Sequence, residues 1–349
     1  MVRGALHGIA RYALELARRM PRLEPGWEFV GLTSPHGLPE DLDDLTPRIP
    51  LHRCAADFLS PLEQPALAAS LMTVRPDLFH ATSFSLPALW TGKLVATIHD
   101  ANHLELREGG GAARIAYYRL VVAPRARKAQ ALITVSDFSR DQIAKHLKIS
   151  PYRLQVIPNG VDAVFHPALP AELLDFKARR GLPAQYFAAI GSQKPHKNLK
   201  ILTSISEGLP AKLVLLAGRG ARRALGFPES VLELSPLSDP ELAVFYAGAV
   251  AVLVPSRYEG FGLPALEAMA CGAPVIASDA GAHREILGQA GMLISPDDPN
   301  AWKEAAQRVF RDEHLRAQLK ERGADRSSRY TWDDCAQQTL EVYRRAMAR

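Results

Sequence analysis

Cysteine is scarce in this chain of 349 residues: there are 3, at positions 54, 271 and 335. An odd number of widely spaced thiols excludes a disulfide frame and a cysteine zinc site, and fits a reducing cytosol. No apolar run approaches the length of a membrane span. The opening MVRGALHGIARYALELARRM has arginines but neither a long apolar centre nor a small-residue cleavage site, so it does not read as a signal peptide. Aromatics amount to only 7%. None lies between the residues of the basic clusters Arg18, Arg19, Arg22 and Arg119, Arg125, Arg127, Lys128, and no base-reading motif accompanies them, so nucleic acid is not an expected partner. The net charge of +5 is mild and favours anionic ligands or a membrane surface. What the chain does have is 47% hydrophobic content, enough for two cores of ordinary domain size.

The most informative stretch is RYEGFGLPALEAMACGAPVIAS, from Arg257 to Ser278. Before it, the Val-rich run 250–254 reads as a buried strand, which Pro255 and Ser256 end. Gly260 and Gly262 permit a tight turn with positive φ. Pro264 suits the first turn of a helix, where an N–H would have no partner anyway. Leu263, Leu266, Met269 and Ala270 supply an apolar face, Gly272 stops the helix, and Pro274 to Ala277 starts the next strand. A strand opening through a glycine turn onto a helix N-terminus makes an anion site. Glu259 and Glu267 bracket it. Carboxylates repel a bare phosphate, but they suit hydroxyl pairs on a ligand with sugars at both ends of a diphosphate. The plainer reading is a solvated loop glutamate and a helix glutamate near the dipole.

The segment EGFGLPALEAMACG resembles the signature of the retaining, nucleotide-sugar-dependent glycosyltransferases of family 4, in its mannosyltransferase-like group. That resemblance implies the GT-B fold, an α/β architecture of two Rossmann-like domains facing across a cleft. It also implies that Glu259 lies by the donor hexose and that Glu267 holds the nucleotide ribose. The amides of Phe261, Gly262 and Leu263 would lie by the distal phosphate and the sugar.

Earlier in the chain, Ile9, Tyr12, Ala13, Leu16, Ala17 and Met20 fall at helical spacing. Gly4 and Gly8 before them resemble the family's N-terminal glycine loop, which in relatives follows a first strand and approaches the donor phosphate. Too few residues precede Gly8 to form that strand. The expectation is therefore a start placed downstream of the true one and an N-terminal sheet missing its first strand, with an open slot beside strands 78–82 and 93–98.

Strands are expected at 28–32, 49–53, 78–81, 94–98, 131–135 and 154–157, with helices at 64–73, 112–125 and 137–146 among them. Such alternation implies a parallel sheet. Asp41, Asp43 and Asp44 form an acid-x-acid pattern in the loop 39–47, which reads as a proline-flanked turn rather than a metal site. His99 and Asp100 follow a strand end, where ligands of open α/β sheets bind, and the resemblance implies that His99 contacts the transferred sugar. His80 and His103 read as structural. The stripe of Tyr117, Tyr118, Leu120 and Val121 among basic residues suits a helix packed on its own domain, or a peripheral contact with a membrane holding the acceptor.

Ser136 is a candidate N-cap and Asn159-Gly160 a turn. PNGVD resembles the family's interdomain connection. The expected domains are 1–168 on the acceptor side, joined by a returning C-terminal helix 333–349, and 169–332 for the donor.

In the second half, strands at 186–190, 213–216 and 231–234 run into GSQKPHKN, AGRG and SPLS. Lys197 follows a strand end and a proline turn, so its ammonium can reach a diphosphate, as the resemblance also implies. Ser192 and His196 stand where many relatives carry basic residues, and Arg219 is a candidate replacement for that charge. Ser235 to Leu237 align with the loop beside the nucleotide base. Residues 300–319 read as one amphipathic helix.

The expected function is transfer of a hexose-like sugar, with retention, from a nucleoside-diphosphate sugar to an acceptor hydroxyl of a glycan, lipid-linked saccharide or small metabolite. No cofactor or metal is expected. His99, Lys197 and Glu259 would carry the catalysis, and Gly8, Ser192, Leu237 and Glu267 would join the glycine turn in binding the donor. The expected location is the cytoplasm, with a peripheral contact on the membrane's inner face through the basic N-domain surface. The alternatives are a noncatalytic donor-binding subunit of a partner transferase and a nucleotide-sugar epimerase on the same fold. A phosphorylase is disfavoured because no pyridoxal-lysine environment is found.

Overall fold

The computed structural model describes residues 8–37, 49–57, 60–106 and 115–348. Gly4, the loop 39–47 with its three aspartates, and the start of the helix expected from 112 lie outside the described residues. The chain divides into two units, 1–160 with 332–349, and 161–331. The first boundary falls ahead of the expected 168 because the connection belongs to the second unit. There Val161 donates its N–H to Tyr330 O at 3.0 Å, and the Phe165 ring rests 6.3 Å from that of Tyr246.

In the first unit, β3 (Leu78–Ala81), β4 (Lys93–Thr97), β5 (Ala131–Thr134) and β6 (Leu154–Val156) form a parallel sheet in chain order. The central strands are apolar over Leu94–Ala96 and Ala131–Ile133, as strands covered on both faces are. The short strands β1 (Gly31–Thr33) and β2 (Leu51–Arg53) pair with each other in a separate sheet. Among the described residues β3 pairs only with β4, while β4 is paired on both sides. The edges of this sheet among the described residues are therefore β3 and β6, and neither open side lies beside 93–98.

One face of this sheet is covered by the helices Gly8–Leu23 and Trp332–Ala348, which bury Tyr12, Leu16, Met20, Trp332, Leu340 and Tyr343 against Val95 and Ile133. The helix expected at 112–125 is continuous where described but carries a π-helical turn, Tyr118–Val122, before Ala123–Lys128. Pro124 cannot donate to the ladder, which slips there. Ser136 caps the helix Asp137–Leu147, its Oγ accepting from Ser139 N at 3.0 Å.

The second unit holds six parallel strands: β7 (Tyr186–Ile190), β8 (Lys212–Leu216), β9 (Leu232–Glu233), β10 (Ala251–Val254), β11 (Val275–Ser278) and β12 (Met292–Ile294). Their order is β12-β11-β10-β7-β8-β9. β12 and the helices Pro170–Arg180 and Asp239–Ala247 add to the elements expected from the sequence. The single helix expected over 300–319 is two, Pro299–Arg311 and Glu313–Ser328. Asp312 divides them, its carboxylate capping the second by accepting from Leu315 N at 2.9 Å.

Candidate active site

The strand order of the second unit reverses between β7 and β10, which lie side by side. Ligands of open α/β sheets bind outside the carboxyl ends of the strands at such a switch point. The loop after β7 carries Lys197, and the loop after β10 carries Glu259. Two segments far apart in sequence are thereby brought together: Lys197 Nζ donates to Glu259 Oε1 at 2.7 Å. Both side chains are largely withdrawn from solvent, with 22% and 11% exposure.

Beyond Glu259 the chain turns through Gly262, at φ +108°, into the helix Leu263–Ala270, with Pro264 in its first turn. A residue with a Cβ rarely adopts that backbone conformation. The first amides of a helix have no partner within it, so this end presents N–H groups and the positive pole of the dipole. Glu267, on the same helix, is buried and accepts from Tyr246 OH at 3.5 Å. With that carboxylate, burial pushes the Cys271 thiol well up, leaving it inert.

Two residues that sequence reasoning passed over complete the arrangement. Gly281, at φ +60°, presses on Glu259; a Cβ there would stand 2.7 Å from Glu259 N and 2.8 Å from its O. Ala282 N then donates to Glu259 O at 3.0 Å. The glycine in SDAGAHRE was the available signal. His283 is wholly buried, with its Cδ2 3.3 Å from where a Cβ on Gly262 would stand.

These neighbours set the charge of Glu259. Burial pushes its carboxyl up, but the charge of Lys197 and hydrogen bonds from Lys197 and Ser256, helped by His283 when that ring is protonated, outweigh it and hold the group below its ordinary value. Glu259 is therefore an anionic acceptor near neutral pH, suited to hydroxyl groups and not to acid catalysis.

The remaining expected residues fall as follows. Ser192 follows β7 and is half-buried, as is Leu237 ahead of the helix Asp239–Ala247. Arg219 is exposed, and Glu233 already accepts from the amides of Gly220 and Arg222 at 2.6 and 2.7 Å. The AGRG turn thus holds an acid of its own. Gly8 is the exposed first residue of a helix, not part of a loop.

In the first unit, His99 follows β4 and its Nε2 lies 3.0 Å from Thr82 O. A carbonyl can only accept, so Nε2 carries the proton and Nδ1 is left as an acceptor. Burial, partly opposed by that bond, pushes His99 down to about 4. Burial and His99 push His80 down to about 3. Both rings are neutral. His80 Nε2 meets Thr97 Oγ1 at 2.8 Å, its Nδ1 meets Tyr343 OH, and Tyr12 OH meets the same Thr97 hydroxyl at 2.9 Å. His103 rests edge-on against Phe84, with ring centres 5.6 Å apart. Among the described residues no cluster of three or more His, Cys, Asp or Glu could hold a metal, and no helix is long and apolar enough to cross a membrane.

Two family models match: that of the glycosyl transferases group 1 over residues 175–326, and that of glycosyltransferase family 4 over residues 6–165. The O-antigen chain mannosyltransferase B of Escherichia coli is 28% identical, over 97% of this chain and 96% of that protein. The MMP alpha-(1->4)-mannosyltransferase of Mycolicibacterium hassiacum is 32% identical over 64% of this chain, which spans 56% of that protein. Among solved structures, sucrose-phosphate synthase from Thermosynechococcus elongatus superposes with a TM-score of 0.78 at 23% identity, covering 98% of this chain and 94% of that one. Anabaena HepE, solved with UDP and glucose, does so with a TM-score of 0.79 at 20% identity, covering 99% and 98%. These two likenesses concern the fold, which is GT-B.

Proposed function

This chain belongs to glycosyltransferase family 4, and we propose that its second unit holds a nucleoside-diphosphate hexose whose sugar is transferred with its anomeric configuration retained. The chain is a glycosyltransferase; the relatives' names speak for transfer rather than for a noncatalytic subunit or an epimerase. The observation that carries the donor reading is the Lys197–Glu259 pair at the switch point, beside the amides of Gly262 and Leu263. Anabaena HepE, which shares the fold, was solved with UDP and glucose, and that supports a nucleotide-sugar donor here. The Escherichia coli relative, an O-antigen chain mannosyltransferase, supports a hexose added to a growing polysaccharide or glycolipid.

In this reading the helix N-terminus and the Lys197 ammonium take the diphosphate. As the glycosidic bond breaks, negative charge grows on the leaving phosphate, and donors fixed in advance in a dry site stabilise it most. No cofactor or metal is required for that. Glu259 accepts from hydroxyls of the hexose, Glu267 from the ribose, and His99 from the sugar through Nδ1. The acceptor hydroxyl attacks on the leaving-group face, and the departing phosphate oxygen takes its proton. Ser192 and Leu237 line the approach to the phosphate and base. The acceptor is a glycan, a lipid-linked saccharide or a small metabolite. A cytoplasmic site on the inner face of the membrane suits a lipid-linked one, and Leu120, 76% exposed beside Arg119, supports a peripheral contact there.

A thermal-shift screen against UDP, GDP, ADP and their hexose conjugates tests the donor. One nucleotide and its sugar should raise the melting temperature; no shift with any of them would overturn the reading. Product analysis with that donor should show a new glycoside of unchanged anomeric configuration. A donor that is bound but never transferred or hydrolysed would restore the subunit alternative, and an epimer formed without acceptor would restore the epimerase.

A further inference from the structure

The donor site has a charged neighbour whose polar edge is unaccounted for. His283 is fully buried. Its Nδ1 lies 3.0 Å from Ser278 O and 3.2 Å from Ser278 Oγ, and that hydroxyl already donates to Ser256 O. Nδ1 must therefore carry the ring's proton, so in the neutral ring Nε2 is a bare acceptor. It is buried without a hydrogen-bond partner. Buried polar atoms are almost always paired, and an exception calls for a reason.

The surroundings supply one. Titratable or charged groups come from every element packed against the ring: Glu259 and Lys197 from the two site loops, Glu267 from the helix Leu263–Ala270, Asp279, Arg284 and Glu285 from its own segment, and Arg326 from the helix Glu313–Ser328. Arg284 is held by Asp279, and Arg326 donates to the carbonyls of Ile286 and Glu285. Glu267 accepts from Tyr246. Glu259 and Lys197 are the two charges that act on the ring, in opposite senses. While Lys197 sits on Glu259, a proton on Nε2 is unwelcome. Once Lys197 turns to a diphosphate, the largely buried Glu259 carboxylate loses its cation.

Resting on the donor reading above, we propose that His283 is a positioning residue for Glu259: when a bound diphosphate draws Lys197 away, His283 Nε2 takes up one proton from solvent and holds the Glu259 carboxylate in place. No carbon bond is made or broken in this step, and the charge of the imidazolium stands in for that of the ammonium in the field of the carboxylate. Donor binding is then coupled to proton uptake, so affinity falls as pH rises through the range in which the bound-state ring titrates.

The test uses the full chain with GDP-mannose, UDP-glucose and ADP-glucose, whose diphosphates have no proton to exchange near neutrality. Titration calorimetry at pH 7 in buffers of different ionisation enthalpy should show uptake of roughly half a proton or more per donor bound. Uptake should vanish in His283→Gln while binding persists. Donor binding without proton uptake, or uptake unchanged in His283→Gln, overturns the inference and leaves the donor reading standing. Binding of none of the three overturns both. Should the variant not fold, nitrogen NMR of labelled histidine in the otherwise unaltered chain reads Nε2 directly, and it should move from bare to protonated as donor is added. A readout without any ligand is Lys197→Met, which should raise the His283 titration midpoint by about one unit; an unmoved midpoint would show that Lys197 does not govern the ring.

Discussion

The two units bury polar side chains in opposite ways. In the second, the carboxylate of Glu259 is kept charged, with Lys197 2.7 Å away and His283 behind it. In the first, His80 and His99 are kept neutral, held down to about 3 and about 4 by burial. Fixed charge suits a ligand whose own charge changes as its bond breaks; neutral donors and acceptors suit groups whose charge does not change. The strand connectivity follows the same division. The reversal between β7 and β10 gathers two loops onto one point, whereas the sheet of the first unit runs in chain order and its polar residues answer mainly to each other.

The largest test of this contrast is Glu259→Ala. Removing a charged group that acts at the reacting sugar should lower kcat by about a thousandfold, while nucleoside diphosphate affinity, measured by calorimetry, stays within a few-fold. Turnover close to that of the unaltered chain would remove Glu259 from the site and the contrast with it. Gly281→Ala comes next. Its Cβ would run into Glu259 N and O, and its φ of +60° adds strain, so the backbone must yield. A cost of about 2 kcal/mol, and a kcat loss from the displaced carboxylate, are expected. A stable and fully active Gly281→Ala would mean that the 279–283 segment does not fix Glu259.

Acid separates the units next. The folded values of His80 and His99 lie below their ordinary 6.5. The unfolded chain therefore binds more protons in between, and the stability these rings carry is intact above about 6.5 and is lost as pH falls below it. Glu259 is lowered from a carboxylate's value, so its contribution survives until pH drops below about 4.5. His283 shifts in the same direction as His80. From pH 7 to 5 the loss from the two first-unit histidines should be on the order of 4 kcal/mol, about 2 from each. Thermal melts of the full chain at the two pH values check this, and in His80→Gln the pH-dependent part should shrink by about half. An equal acid response in that variant would mean that the neutral ring is not what acid attacks.

How far the sequence anticipates this division depends on the range of the signal. The glycine turn, the helix from Leu263 and the strands on either side were legible because each is written in a contiguous run of apolar, Gly and Pro residues. The fold class followed from the alternation of such runs and from the resemblance of one short segment. Lys197 could be nominated, but not its hydrogen bond to Glu259, since that depends on which strands lie side by side. Gly281 and His283 were hidden for the same reason: their partners are Glu259 and Gly262, about twenty residues away through a strand and a helix. The break at Asp312 was missed because the apolar rhythm continues across it and only the capping carboxylate marks the division. β12 was missed because three residues carry too little period.

The smallest expected effect comes from Tyr343→Phe, and it decides how separate the two kinds of burial are. Tyr343 OH meets His80 Nδ1, and His80 reaches Thr97 through Nε2, so the hydroxyl ties the last helix to β3 and β4. The ring of Tyr343 is buried against Trp27 and keeps its packing when only the oxygen is lost. What remains is an unpaired ring nitrogen, at a cost of about 1 kcal/mol, equivalent to a lowering of Tm by about 3 °C for a unit of this size. If the neutral network serves folding alone, kcat should be unchanged. A tenfold fall in kcat with the same small loss of stability would instead show that the network sets the orientation of His99. The first unit would then be tuned for the reaction as closely as the second, by hydrogen bonds in place of charge.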